Sequence, residues 1–71
     1  MKRSEFSRTE AADIRETLRT LRRADRDTQK RLRARLRRMG FYITDYSTAG
    51  DGFTEGDFEA LVRRSTVKIV D

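Results

Sequence analysis

The fold class of this chain depends on residues 36–46, which read Leu36-Arg37-Arg38-Met39-Gly40-Phe41-Tyr42-Ile43-Thr44-Asp45-Tyr46. The arginines before Met39 suit the negative end of a helix, and glycine commonly follows a helix end. The residues after Gly40 are aromatic and β-branched, a composition typical of a half-buried strand. A helix that ends at Gly40 and a strand over 41–46 together predict an α+β fold.

Two helices are predicted on the N-terminal side of Gly40. Ser7 and Glu10 have capping-box spacing, and apolar residues then recur every three or four positions, which predicts a first helix over about 8–24. Asp27 is predicted to cap a second helix that ends at Gly40. The junction contains no glycine or proline, so one continuous helix is the alternative.

The rest of the chain is predicted to form a loop over 47–52, a third helix and a closing strand. Thr54 and Asp57 have the spacing of a helix cap, and residues 67–70 are predicted to pair with 41–46. The prediction is one small α+β domain over 1–71, in the order ααβαβ, with two N-terminal helices packed on a two-stranded sheet and a third helix. The predicted core consists of Ile14, Leu18, Leu21, Leu32, Leu36, Met39, Phe41, Ile43, Phe53, Phe58, Leu61, Val62, Val67 and Ile69.

The composition argues against catalysis. The chain has no cysteine and no histidine, which removes the thiolate nucleophile, the commonest neutral-pH general base and the best transition-metal ligands. The segment that begins at Asp51 resembles a calcium-binding loop, but it lacks two of the ligands, because Phe53 and Val62 occupy their positions. We therefore expect no enzyme activity, cofactor or metal site.

No apolar run reaches the roughly 18 residues of a membrane span, and we expect a soluble, cytoplasmic protein.

Charge divides the chain into two halves. Residues 1–40 hold 14 lysines and arginines against 6 aspartates and glutamates, whereas residues 41–71 hold 3 against 6. A basic half of this kind raises the expectation of a polyanionic partner, nucleic acid first. The alternative is that the 14 arginines among 17 basic residues reflect a GC-rich genome.

The first predicted helix carries a row of arginines beside its apolar face: Arg15, Arg19, Arg22 and Arg26. Their spacing is that of one helix stripe, and guanidinium groups bind phosphate oxygens through paired donors. The alternative is a solvated helix flank on which the arginine stems cover the edge of the core.

On the second predicted helix, four basic residues point away from the apolar seam, and two more lie at the shoulders of that seam. The four are Lys30, Arg33, Arg37 and Arg38, and the two are Arg31 and Arg35. Like charges at this density repel one another and favour an acidic neighbour. That neighbour is either an external polyanion or the acidic half of the chain itself, through Asp51, Asp57 or Glu59. Which arginines are neutralised internally therefore decides between the possible functions.

Two tyrosines extend the possible interface. On the predicted strand, Tyr42, Thr44 and Tyr46 share the face opposite Phe41 and Ile43, where the rings could stack on unpaired bases. The alternative is that both tyrosines pack beneath a helix with their hydroxyls at the rim.

The leading hypothesis is a small module that binds DNA or RNA mainly through phosphate contacts of its arginine-rich helices. The alternative is a protein-interaction module, such as a regulator or inhibitor, that docks these helices on an acidic protein surface. Binding to an anionic membrane surface is a third hypothesis. Because so short a chain has a thin core, a homodimer that buries further apolar surface is an additional hypothesis.

Overall fold

The computed structural model describes residues 3–46 and 53–70. Within these ranges the elements are strand β1, Glu5–Ser7, helix α1, Arg8–Leu21, helix α2, Arg26–Arg38, a 3₁₀ helix, Ile43–Asp45, helix α3, Glu55–Arg63, and strand β2, Lys68–Val70. The predicted loop over 47–52 lies outside the described residues. Three helices and a short two-stranded sheet confirm the α+β class.

Helix α1 begins where its capping box predicted. The Ser7 hydroxyl accepts a hydrogen bond from the Glu10 N–H at 3.1 Å, and the Glu10 carboxylate accepts one from the Ser7 N–H at 2.8 Å. The Arg3 guanidinium binds the same carboxylate with bonds of 2.7 and 3.1 Å. These bonds, first that from Arg3 and then that from Ser7, lower the pKa of Glu10 from 4.5 to about 2.

This lowered pKa predicts an acid-sensitive contact. A carboxyl group whose pKa is lower in the folded state stabilises the fold above its unfolded pKa and loses that contribution as the pH falls towards the folded pKa. We expect Glu10→Gln to lower the melting temperature at neutral pH, and the difference from wild type to shrink between pH 4.5 and about 2. Thermal unfolding across this range measures it. A difference that stays constant with pH would contradict the assignment.

Helix α2 begins two residues earlier than its predicted cap implied. The N-cap is Asp25, whose carboxylate accepts a hydrogen bond from the Thr28 N–H at 2.8 Å. Asp27 instead lies in the first turn, where its charge suits the helix dipole. The break between the helices is therefore real, and the alternative of one continuous helix is wrong.

The end of α2 confirms the prediction at Gly40. Gly40 has a φ of 91°, and its N–H donates to the Arg37 carbonyl while the Phe41 N–H donates to the Leu36 carbonyl, both at 2.9 Å. This pair of bonds is typical of a helix that ends at a residue in the left-handed conformation. Glycine adopts that conformation without strain because it has no β-carbon. The turn directs Phe41 into the core.

The predicted strand over 41–46 is wrong, because the chain turns there instead of extending. The Asp45 N–H donates to the Tyr42 carbonyl and the Tyr46 N–H donates to the Ile43 carbonyl, which forms the 3₁₀ helix. On a strand, residues 41 and 46 would lie on opposite faces. The turn brings Tyr46 back to stack on Phe41, with ring centroids 5.5 Å apart, so burial of both rings outweighs the strand propensity.

The closing strand is confirmed, but its partner is β1. Strand β2 pairs in parallel with β1, with Phe6 opposite Ile69. Only Phe6 of β1 is buried, so a three-residue strand among polar residues gave little signal in the sequence. Parallel pairing requires a crossover, and here the three helices form it.

The core surrounds Phe41. Its ring contacts those of Phe6, Phe53 and Phe58, with centroids 5.6 to 5.9 Å apart, in addition to that of Tyr46. Ten of the fourteen predicted core residues are buried, and Phe6 and Ala11 are additional members. The other four are only partly buried and pack against the cluster: Leu32, Met39, Val62 and Ile69.

Helix α3 ends at a left-handed residue that is not glycine. Ser65 has a φ of 63°, and its N–H and that of Thr66 donate to the Val62 and Leu61 carbonyls at 3.1 and 3.0 Å. A residue with a β-carbon is strained in this conformation by about 1 kcal/mol or more, whereas glycine is not.

We therefore expect Ser65→Gly to stabilise the fold. The relief of strain exceeds the added freedom of glycine in the unfolded chain, which leaves a gain of about 0.5–1 kcal/mol and a melting temperature higher by several degrees. Ser65→Ala keeps the β-carbon and serves as the matched control, with an expected change within about 0.5 kcal/mol. Equal melting temperatures for the glycine and alanine variants would contradict this account.

Candidate functional site

The nine arginines and lysines predicted to bind a polyanion lie on two helices. Arg15 and Arg19 lie on α1, and Arg22 is the C-cap residue that follows it. Because α1 ends at Leu21 and Arg26 is the first residue of α2, the predicted stripe from Arg15 to Arg26 is not continuous. The remaining five residues lie on α2: Lys30, Arg31, Arg33, Arg37 and Arg38.

Two arginines of α1, Arg15 and Arg19, bind carboxylates of α3. Arg15 donates two hydrogen bonds to Glu59, at 2.5 and 3.1 Å, and its guanidinium lies 5.5 Å from the ring centroid of Phe58. Arg19 donates to Glu55 at 2.7 Å. The hydrogen bond with Arg19 lowers the pKa of Glu55 and raises that of Arg19. These arginines therefore connect α1 to α3 and are neutralised within the molecule.

The acidic half of the chain thus neutralises Arg15 and Arg19 of α1, whereas one of the two alternatives drawn from the sequence matched it to the second helix. Glu59 binds Arg15. The Asp57 carboxylate accepts hydrogen bonds from the N–H and hydroxyl of Thr54 as the cap of α3. Asp51, the third predicted acidic partner, lies outside the described residues. None of these observations assigns a carboxylate of α3 to an arginine of α2.

One arginine of α2 does have an internal partner. A single nitrogen of the Arg35 guanidinium donates to both carboxylate oxygens of Asp13, each at 2.9 Å. This contact joins α1 to α2, and the sequence analysis did not identify it, because Asp13 and Arg35 are 22 residues apart.

The other basic residues of α2 form an exposed surface that we call the α2 basic face. Five of them are exposed and Arg33 is half-buried. The five exposed side chains form no ion pair with any carboxylate in 3–46 or 53–70. The α2 basic face consists of Arg26, Lys30, Arg31, Arg33, Arg37 and Arg38.

The α2 basic face has two rows. Arg26, Lys30, Arg33 and Arg37 follow one another at steps of four, three and four residues and lie along one side of the helix. At 1.5 Å per residue this row is about 16 Å long. Arg31 and Arg38 form the second row, seven residues apart. The positive charge is therefore ordered along a rigid helix.

A small cavity adjoins the longer row. It has a volume of about 100 Å³, and it is lined by Arg33 and Arg37 of α2 together with residues 42–44. Of these residues, Ile43 is apolar and buried, whereas Thr44 is exposed. The 3₁₀ helix places these residues beside α2, so a prediction that assumed a strand over 41–46 could not identify the cavity.

The two tyrosines have different surroundings. Tyr46 stacks on Phe41 with an angle of 26° between the rings and packs against the core. Tyr42 is half-buried and lines the cavity. Its ring forms no aromatic pair, and its hydroxyl forms no hydrogen bond, with the residues that the structure describes. Tyr46 therefore packs against the core, as the alternative expected, whereas Tyr42 lies outside the core cluster.

Comparisons of the chain with protein-family models, curated proteins and solved structures found no match. Across residues 3–46 and 53–70, no helix has the length and apolar character needed to cross a membrane. In the same part of the chain, no three acidic side chains lie close enough together to hold a metal ion. Inference about function therefore rests on the α2 basic face and the adjoining cavity.

Proposed function

We propose that this chain is a small nucleic-acid-binding module that contacts the phosphate backbone through the α2 basic face. One observation carries the proposal: acidic side chains of the chain neutralise Arg15 and Arg19 of α1, whereas the five exposed cations of the α2 basic face have no ion pair with a described carboxylate. Cations ordered on one helix and facing solvent suit a polyanion.

The residue types of the α2 basic face favour contact without base readout. Five of its six members are arginines, which bind phosphate oxygens bidentately. The helix presents no asparagine on this face, and its one glutamine, Gln29, instead donates hydrogen bonds to the carbonyls of Leu21 and Ala24. Amide side chains are the usual readers of adenine. The proposed binding therefore rests mainly on phosphate contacts and includes no readout of adenine by an amide side chain of α2.

A salt titration tests the proposal. Fluorescence anisotropy with labelled duplex DNA, single-stranded DNA and single-stranded RNA should show binding at low salt. If the five exposed cations contact phosphates, log K should fall against log salt concentration with a slope of about −3.5 for single strands and about −4.5 for the duplex. Absence of binding to all three nucleic acids at low salt would contradict the proposal.

The alternative is an interaction or regulatory module that docks α2 on an acidic protein surface. The paired contacts of Arg15 with Glu59 and of Arg35 with Asp13 show that arginines of this chain bind carboxylates well. Polyglutamate in the same titration distinguishes the two functions. Binding of polyglutamate as tightly as nucleic acid would favour the protein-interaction alternative.

A further inference from the structure

The cavity beside α2 is lined by apolar and aromatic residues as well as by arginines, and phosphate contact alone would require only the arginines. Its lining combines two arginines, Arg33 and Arg37, with the buried Ile43, and Tyr42 and Thr44 complete it. Drug-sized ligand pockets occupy about 300–1,000 Å³, so a cavity of about 100 Å³ has room for a single small group. That group would contact both apolar and cationic surfaces.

Among the residues that the structure describes, Tyr42 has no aromatic or hydrogen-bond partner for its side chain. It is half-buried, yet it is not among the partly buried residues that pack against the core. A half-buried tyrosine beside a cavity can offer an aromatic surface for stacking, and base–aromatic stacking is a usual way in which proteins hold unpaired bases.

We infer that this cavity accepts one unpaired base of a single-stranded nucleic acid, stacked on Tyr42, while Arg33 and Arg37 contact the adjoining phosphates. The inference rests on the proposed function and narrows its substrate class. A duplex keeps its bases stacked inside the helix, and extrusion of one base costs a few kcal/mol. A single strand presents a base and its phosphates together, which matches the lining of the cavity.

Substitution of Tyr42 provides the test. Tyr42→Leu keeps apolar bulk and removes the aromatic face, whereas Tyr42→Phe keeps the face and serves as the matched control. We expect Tyr42→Leu to weaken binding of oligothymidylate or oligouridylate about 5- to 100-fold, the loss typical of one stacked base. Binding of a duplex of the same length should not change, and Tyr42→Phe should bind as wild type does.

A second arm changes the nucleic acid and leaves the protein intact. Oligothymidylate with a run of abasic sites keeps every phosphate and should bind the wild-type protein as weakly as intact oligothymidylate binds Tyr42→Leu. This arm remains decisive if the leucine variant fails to fold, which thermal unfolding would show.

The outcomes separate the inference from the proposed function. Wild-type affinity of Tyr42→Leu for single strands, equal binding of abasic and intact strands, or an equal loss for single strands and duplex would overturn the inference. Each of these results leaves phosphate contact through α2 in place. If the wild-type protein binds no nucleic acid at low salt, the proposed function fails, and the inference fails with it.

Discussion

Phe41→Ala is expected to lower the melting temperature of the domain by about 10 °C or more. Phe41 is completely buried, and its ring contacts four other aromatic rings. Truncation of a buried phenylalanine to alanine typically costs about 3–5 kcal/mol. At the usual 0.05–0.15 kcal/mol per residue, a domain of this length has only about 4–10 kcal/mol to lose.

Circular dichroism with thermal or urea unfolding measures this effect. Tyr42→Ala provides a matched control at the neighbouring position, since Tyr42 lies outside the core cluster. Its expected cost is much smaller than that of Phe41→Ala. A Phe41→Ala variant that melts within a few degrees of wild type would show that the aromatic cluster does not hold the fold together.

The second large effect is expected on nucleic-acid binding, for the combined substitution Arg26→Gln, Lys30→Gln and Arg37→Gln. All three side chains are exposed on the longer row of the α2 basic face. Removal of three phosphate contacts should reduce the salt slope by about 3 and weaken binding near 0.1 M salt by about 100-fold or more. Anisotropy titration at several salt concentrations measures both quantities.

A matched variant separates the α2 basic face from net charge. Arg23→Gln, Arg63→Gln and Arg64→Gln remove the same charge from exposed positions outside α2. We expect this control to keep most of the affinity and of the salt slope. Equal losses in the two variants would mean that binding follows net charge alone, which would contradict an interface on α2.

The arrangement of internal ion pairs explains why the two basic helices differ. Arg15 and Arg19 face α3, whose Glu55 and Glu59 lie within hydrogen-bond distance. Exposed ion pairs of this kind contribute little to stability. Their main consequence is electrostatic, because they remove positive potential from α1 and leave it concentrated on α2.

Local signals in the sequence predicted the helix ends well. The capping boxes that begin α1 and α3 and the glycine that ends α2 each involve residues only a few positions apart. Such signals depend on backbone groups within one turn, which the chain brings together whatever the rest of the fold does. The N-cap of α2 was misplaced by two residues because both Asp25 and Asp27 are suitable cap residues.

The candidate site was predicted in part. Helical spacing identified the cations of α2, because side chains three and four residues apart lie on the same surface. The sequence also identified Tyr42 as a residue that could stack on an unpaired base. It did not distinguish Tyr42 from Tyr46, and it did not identify the cavity, because both depend on the 3₁₀ helix that burial of Phe41 imposes.

The sequence by itself determined the three helices, the α+β class and the concentration of positive charge in residues 1–40. Only the tertiary structure decided which strand pairs with β2, where Phe41 lies and which arginines are neutralised. Arg15 and Glu59 are 44 residues apart, and Phe6 and Phe41 also meet across the domain. Contacts of this range depend on how the helices pack, since burial and Coulomb attraction act through distances in space and not along the chain.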